Sequence, residues 1–124
     1  MKYLWTTIHV KNMDESILFY SDLLGLQVMQ RFPAGPGNEI AFLGNGLENE
    51  TLVELYANSN NAIVNFNDFI SIGFAVESID AMLDTVQSKN IPLYGSLIET
   101  PKFKWFTIQD PNGLNVQFFE QKSN

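Results

Sequence analysis

The 124-residue sequence has no cysteine and a single histidine, His9. Without thiols there are no disulfides, no thiolate metal ligands and no cysteine nucleophile, so packing alone must hold the fold. Bases are also scarce, with 7 Lys and Arg against 14 Asp and Glu and a net charge of −7. A surface of that sign repels phosphate backbones, and no nucleic-acid partner is expected. No apolar run approaches the roughly 18 residues of a membrane-spanning helix, and residues 1–10 lack the layout of an export signal. No membrane partner is expected, and the expected location is the cytoplasm.

What is present is enough for a core: 45% of residues are hydrophobic and 13% aromatic, including 10 Phe. That fits one domain over residues 1–124. Most of the phenylalanines are expected in the core, with some left to line a pocket for flat or apolar ligands.

Alternation marks Lys2 to Val10 as a first strand, with Leu4, Thr6, Ile8 and Val10 on one face and Tyr3, Trp5, Thr7 and His9 on the other. Asn12 and Glu15 have capping-box spacing, which predicts a helix from Met13 with an apolar stripe of Met13, Ile17, Tyr20 and Leu24. Gly25 supplies its left-handed stop. Three β-prone stretches follow, Leu26 to Phe32, Glu39 to Leu43 and Thr51 to Ala57, separated by Pro- and Gly-rich turns. The polar run Asn58-Ser59-Asn60-Asn61 reads as part of a linker at about 58–67.

The order of elements then repeats. Phe69 to Val76 reads as a strand, Ser78 caps a helix from about Ile79 to Ser88, and Asn90 takes the left-handed stop. Ile91 to Ile98, Lys104 to Gln109 and Leu114 to Glu120 read as three further strands, the last two joined by a tight Asp110-Pro111-Asn112-Gly113 connection. A shift of 66 residues lays Val10 on Val76, Met13 on Ile79 and Ile17 on Leu83, so the helix stripes coincide. The expected class is α+β: two tandem βαβββ modules, 1–58 and 68–124, forming a curved sheet around a shared cleft that would hold a ligand.

Three segments carry a family resemblance. They are His9-Val10-Lys11-Asn12-Met13-Asp14-Glu15-Ser16-Ile17-Leu18-Phe19-Tyr20, then Leu23-Leu24-Gly25-Leu26, and Asp110-Pro111-Asn112-Gly113-Leu114-Asn115-Val116-Gln117. In these the chain resembles the vicinal oxygen chelate superfamily, which includes glyoxalase I, extradiol dioxygenases, and fosfomycin- and bleomycin-resistance proteins. The resemblance implies four positions converging on one divalent ion, two on first strands and two on fourth strands. They fall on Trp5 and Ser71, and on Glu54 and Gln117. An imidazole- and carboxylate-held ion needs three or four protein ligands, and here Glu54 and Gln117 alone carry usable oxygens. No cofactor is therefore expected, and Glu54 with Gln117 would be the place for a metal if one bound. His9 lies roughly 13 Å along the strand from Trp5 and does not replace a missing ligand. It stands where glyoxalase I has an arginine that holds the glutathione carboxylate, whereas Asn58 matches an asparagine used for glutathione.

The candidate ligand-binding residues are thus Trp5, His9, Glu54, Asn58, Ser71 and Gln117. Trp5 is expected as a pocket wall, the other reading being a plug in the space of an absent metal. His9 reads equally as a ligand contact or a structural side chain. Glu54, flanked by Val53 and Leu55, is the candidate general base, against the plainer reading of a solvated strand carboxylate. Ser71 and Gln117 are neutral hydrogen-bonders, with strand filler as the alternative. Arg31, Lys102 and Lys104 could meet an anion, although solvated cations are the commoner case. The leading expectation is a metal-independent protein that binds a small organic ligand as a homodimer, dimerisation being implied by the resemblance. The alternative is a glyoxalase-like lyase or isomerase using Glu54 as base with a divalent metal.

Overall fold

A computed structural model describes residues 1–59 and 66–123. Chain contacts group into two units, Met1–Val64 and Asn65–Asn124. Of the expected linker, residues 60–65 lie outside the described residues.

The first module contains β1 (Thr6–Val10), α1 (Met13–Ile17), a π-helical continuation (Leu18–Leu23), β2 (Gln27–Pro33), β3 (Asn38–Gly44) and β4 (Val53–Asn58). Its sheet has the order β1-β4-β3-β2, with β1 parallel to β4 and the remaining pairs antiparallel. The period of two along each strand divides the side chains between faces. Ile8, Val10, Ala41, Leu43, Val53 and Leu55 are all buried on the face beneath the helix. The expected first strand is shortened at its start, because residues 2–5 join no ladder.

Asn12 caps α1 as its spacing predicts, its side-chain oxygen accepting from the Glu15 N–H at 2.9 Å. The helix then widens, and the Leu24 N–H reaches back five residues to the Phe19 carbonyl at 3.2 Å. One extra residue in a turn rotates everything after it. The buried stripe is Met13, Ser16, Phe19, Tyr20 and Leu23; Leu24, which follows the wide turn, is only half-buried, and so is Ile17 before it, although both were expected inside. Gly25 ends the helix at φ +78°, a left-handed conformation that L side chains rarely adopt.

The second module contains β5 (Ser71–Ala75), α2 (Ile79–Ser88), β6 (Ile98–Glu99), β7 (Phe103–Gln109) and β8 (Asn115–Gln121), in the sheet order β5-β8-β7-β6. Ser78 caps α2 by accepting from the Ala81 N–H at 3.1 Å, and Glu120 accepts from the Ile79 N–H at 2.7 Å. Ile79, Val86, Phe106, Ile108, Val116 and Phe118 form the covered side of the sheet. At the β7–β8 turn, buried Asp110 accepts from the N–H groups of Asn112 and Leu114, at 2.8 and 2.9 Å.

The expected strand Ile91 to Ile98 is mostly absent, since only Ile98 and Glu99 pair with β7. Pro92 has no N–H to donate, and Gly95 turns the chain at φ +87°. One isolated bond survives, from the Tyr94 N–H to the Thr107 carbonyl at 2.8 Å, and it lays this segment against the rim of β7.

The two parallel ladders fix which positions are equivalent. Thr7 lies opposite Glu54 in one module and Gly73 opposite Gln117 in the other. Trp5 and Ser71 each stand two residues before those pairs. Thr7 and Gly73 obey the 66-residue shift seen in the helices, while Glu54 and Gln117 correspond at 63, so the second module reaches its last strand by a shorter path.

Candidate ligand-binding site

Each sheet has a face that its own helix does not cover. In module one that face carries Trp5, Thr7 and His9 beside Glu54, Tyr56 and Asn58, with Ile40 and Phe42 on the next strand. Glu54 is half-buried and its Oε1 accepts from the Thr7 hydroxyl at 2.6 Å. This bond orients the carboxylate, and sequence reading missed Thr7; the signal was its parallel position across from Glu54, visible only once the register is known. The Trp5 and Phe42 rings lie 5.2 Å apart, tilted by 42°. His9 is exposed, with its ring 5.0 Å from that of Tyr56.

The module does not gather all its candidates into one hollow. Trp5 lines a cavity of about 430 Å³ with the segment 47–52, and Asn58 lines another of about 430 Å³ with Lys11, Arg31 and Asn38. Arg31 is committed there, bonding Asp14 at 2.8 Å and Glu39 at 3.0 Å. Those hydrogen bonds, Glu39 first, hold its guanidinium above the ordinary arginine range. Lys104 is likewise paired, with Asp80 at 2.6 Å.

In module two, Ser71 and Gln117 line a cavity of about 370 Å³ together with Trp105, Thr107, Asn115 and Asp68. Tyr94 stands at its edge and donates its hydroxyl to the Asp68 carboxylate, 2.8 Å from each oxygen. Asn115 donates to the same carboxylate at 3.3 Å and accepts from Gln109 at 3.2 Å. Asp68, Tyr94, Thr107 and Asn115 were not singled out from sequence, because the loop that carries Tyr94 read as a strand.

The Tyr94 pKa is raised, chiefly because the neutral phenol donates to Asp68 and secondarily through desolvation. A raised folded-state pKa favours the protonated form, so this contribution is fully present below the unfolded value of about 10 and is lost as pH rises through the folded value. In an ultraviolet tyrosinate titration, Tyr94→Phe should remove a transition above the ordinary range. Asp68→Asn should move that transition down.

With the paired sheets and their open faces in place, comparison with known proteins becomes informative. A family model described as Glyoxalase/Bleomycin resistance protein/Dioxygenase superfamily matches residues 2–118. The chain belongs to this superfamily. It is 29% identical over 133 aligned positions to a probable lactoylglutathione lyase of Synechocystis sp., covering 99% of this chain and 98% of the relative. A lactoylglutathione lyase of Haemophilus influenzae is 26% identical, with 99% and 95% covered. Among solved structures, the trypanothione-dependent glyoxalase I of Leishmania major superposes with a TM-score of 0.83 at 24% identity, covering 97% of this chain and 86% of that one. A fosfomycin-resistance protein of Listeria monocytogenes superposes at 0.70 with 7% identity, covering 98% and 94%. These likenesses show the fold, two tandem βαβββ modules with curved sheets.

The superfamily's divalent metal does not fit the donors present. Trp5 offers no metal-binding lone pair, Ser71 a neutral hydroxyl and Gln117 a neutral amide, which leaves Glu54 as the one anionic donor at the four positions. Among the described residues, no group of three or more His, Cys, Asp or Glu side chains is placed to hold a metal. None of the described helices is long and apolar enough to cross a membrane.

Proposed function

We propose that this superfamily member binds a small organic molecule on the open faces of its sheets without a resident metal. The chain then acts as one cytoplasmic domain and works as a homodimer. The observation that carries this reading is the equivalence of Trp5 with Ser71, each two residues before a strand pair that retains a polar acceptor, Glu54 or Gln117. At the two positions where metal-using members place their first-strand ligands, this chain has an indole and a hydroxyl. An indole supplies contact area for a flat ligand, and the hydroxyl and amide supply orientation. Trp5 is the wall, Glu54 the acceptor fixed by Thr7, Ser71 and Gln117 the neutral partners, and His9 and Asn58 the contacts towards the far end of the first sheet.

A second reading rests on Glu54 and on the relatives named lactoylglutathione lyase: a lyase or isomerase in which Glu54 takes a proton next to a carbonyl. Its usual metal finds too few donors here. Two measurements separate the readings. Metal analysis of the purified protein should give well under one transition metal per chain, and thermal unfolding should rise with a compound from a screen of antibiotics, thiol conjugates and aromatic metabolites. A stoichiometric metal lost together with binding in Glu54→Ala would overturn the metal-free reading.

A further inference from the structure

The open face of module two has a one-sided chemistry. Asp68 is the only charged side chain among the residues lining its cavity. The neighbouring charges are turned to other work: Lys104 bonds Asp80, Glu120 accepts from the Ile79 N–H that starts α2, and Lys122 pairs with Glu99 at 2.5 Å. Among the described residues, no Lys, Arg or His lines the cavity to receive a carboxylate or phosphate. The rest of the lining divides into an apolar end and a polar end. Trp105 is half-buried and in register with Phe119, which in turn lies 5.2 Å from Phe103, so three rings run along the open face. Towards the other end come Thr107, Asn115 and Gln117. Beside them the exposed Asp68 is already held in place by Tyr94 and Asn115.

An ionised carboxylate accepts about four hydrogen bonds, and Tyr94 supplies one O–H shared between both oxygens and Asn115 one N–H, so Asp68 keeps capacity for about two more donors. An ammonium or amidinium N–H placed there gains a charge-assisted bond. Trp105 lines the same cavity, and its indole offers a planar ring attached to that group a surface where a cation is also favoured.

We propose that this face selects a planar organic cation, its ring on Trp105 and its N–H groups donated to Asp68 and Gln117. This rests on the ligand-binding reading above and names the class of molecule bound. Net charge alone would attract any cation weakly, so the proposal requires the selectivity to be lodged in these side chains.

The test uses two planar dyes of opposite charge, proflavine as cation and anilinonaphthalene sulfonate as anion. Binding to the full chain is followed by the fluorescence of the dye. Proflavine should bind more tightly than the anion. Asp68→Asn should weaken it roughly fivefold, as for an exposed ion pair, and Trp105→Ala, followed by dye fluorescence, roughly tenfold. Asp84→Asn, which removes the same charge from the exposed side of α2, should leave the affinity unchanged. Equal effects of Asp68→Asn and Asp84→Asn would overturn the proposal by reducing the attraction to net charge. A neutral or anionic compound that binds at Trp105 in preference to proflavine would overturn the cation selectivity and leave ligand binding standing. If proflavine and every compound of the thermal-shift screen fail to bind, both fall.

Discussion

Phe118→Ala is expected to lower the free energy of unfolding by about 3–5 kcal/mol, the usual result of truncating a fully buried phenylalanine. Phe118 is 1% exposed, and its ring lies 5.3 Å from that of Phe106, itself fully buried. Alanine removes both the burial and the ring pair, and the strand cannot collapse inward to fill the space because Val116 and Ile108 flank the same face. Its neighbour makes the contrast. Phe119 is 40% exposed on the opposite face, and Phe119→Ala should cost less than about 1.5 kcal/mol. Urea unfolding followed by circular dichroism measures both. Since domains of this size are stable by about 5–15 kcal/mol, the Phe118 variant should be marginal at 37 °C while the Phe119 variant remains folded. Equal losses at the two positions would mean that the open face of this sheet is covered in the folded protein, contrary to its use as a binding surface.

The same two residues show how much could be read from sequence. Alternation requires that Phe118 and Phe119 face opposite ways, but it does not say which of them lies under the helix; α2 packing on β8 decides that. Caps and stops were legible because they are local: Asn12, Gly25, Ser78 and Asn90 all stand where their side-chain chemistry or dihedral freedom places them. The repeat was legible for the same reason, since both helices begin at equivalent caps. The π-helical turn was not, because the sequence from Leu18 to Leu23 suits an ordinary helix and only tertiary packing selects the wider one. The strand at 91–98 was over-read: its β-prone residues outvoted Pro92 and Gly95, which break the ladder. Of the site, Glu54 and its counterpart Gln117 could be named from motif spacing. Their surroundings could not, because Thr7, Asp68 and Tyr94 meet them or their neighbours across ladders and loops whose register no single sequence displays.

Putting back the missing ligands should have the largest effect on function. Trp5→His, Ser71→His and Gln117→Glu introduced together, with Glu54 retained, are expected to create a binder of Zn²⁺ or Ni²⁺ from a chain proposed to hold neither. In each module the two ligand positions are offset by two residues, Ser71 on the strand beside Gln117 and Trp5 just before the strand beside Glu54, so their Cα atoms are roughly 8 Å apart, a span that a histidine and a glutamate can close on one ion. Either pair alone supplies two ligands, fewer than the three or four that hold such ions against water. Trp5→His by itself should therefore fail, and so should Ser71→His with Gln117→Glu. The full set brings the ligand count to four. At free metal about 100-fold above Kd the complex would gain about 2.7 kcal/mol, which for a chain of this length raises Tm by roughly 10 °C. Metal analysis after dialysis gives the stoichiometry, and differential scanning fluorimetry gives the shift. A folded triple variant that binds no metal would show that these four positions do not form one metal site. The Trp105 surface, which lies wholly within one module, would be untouched by that result.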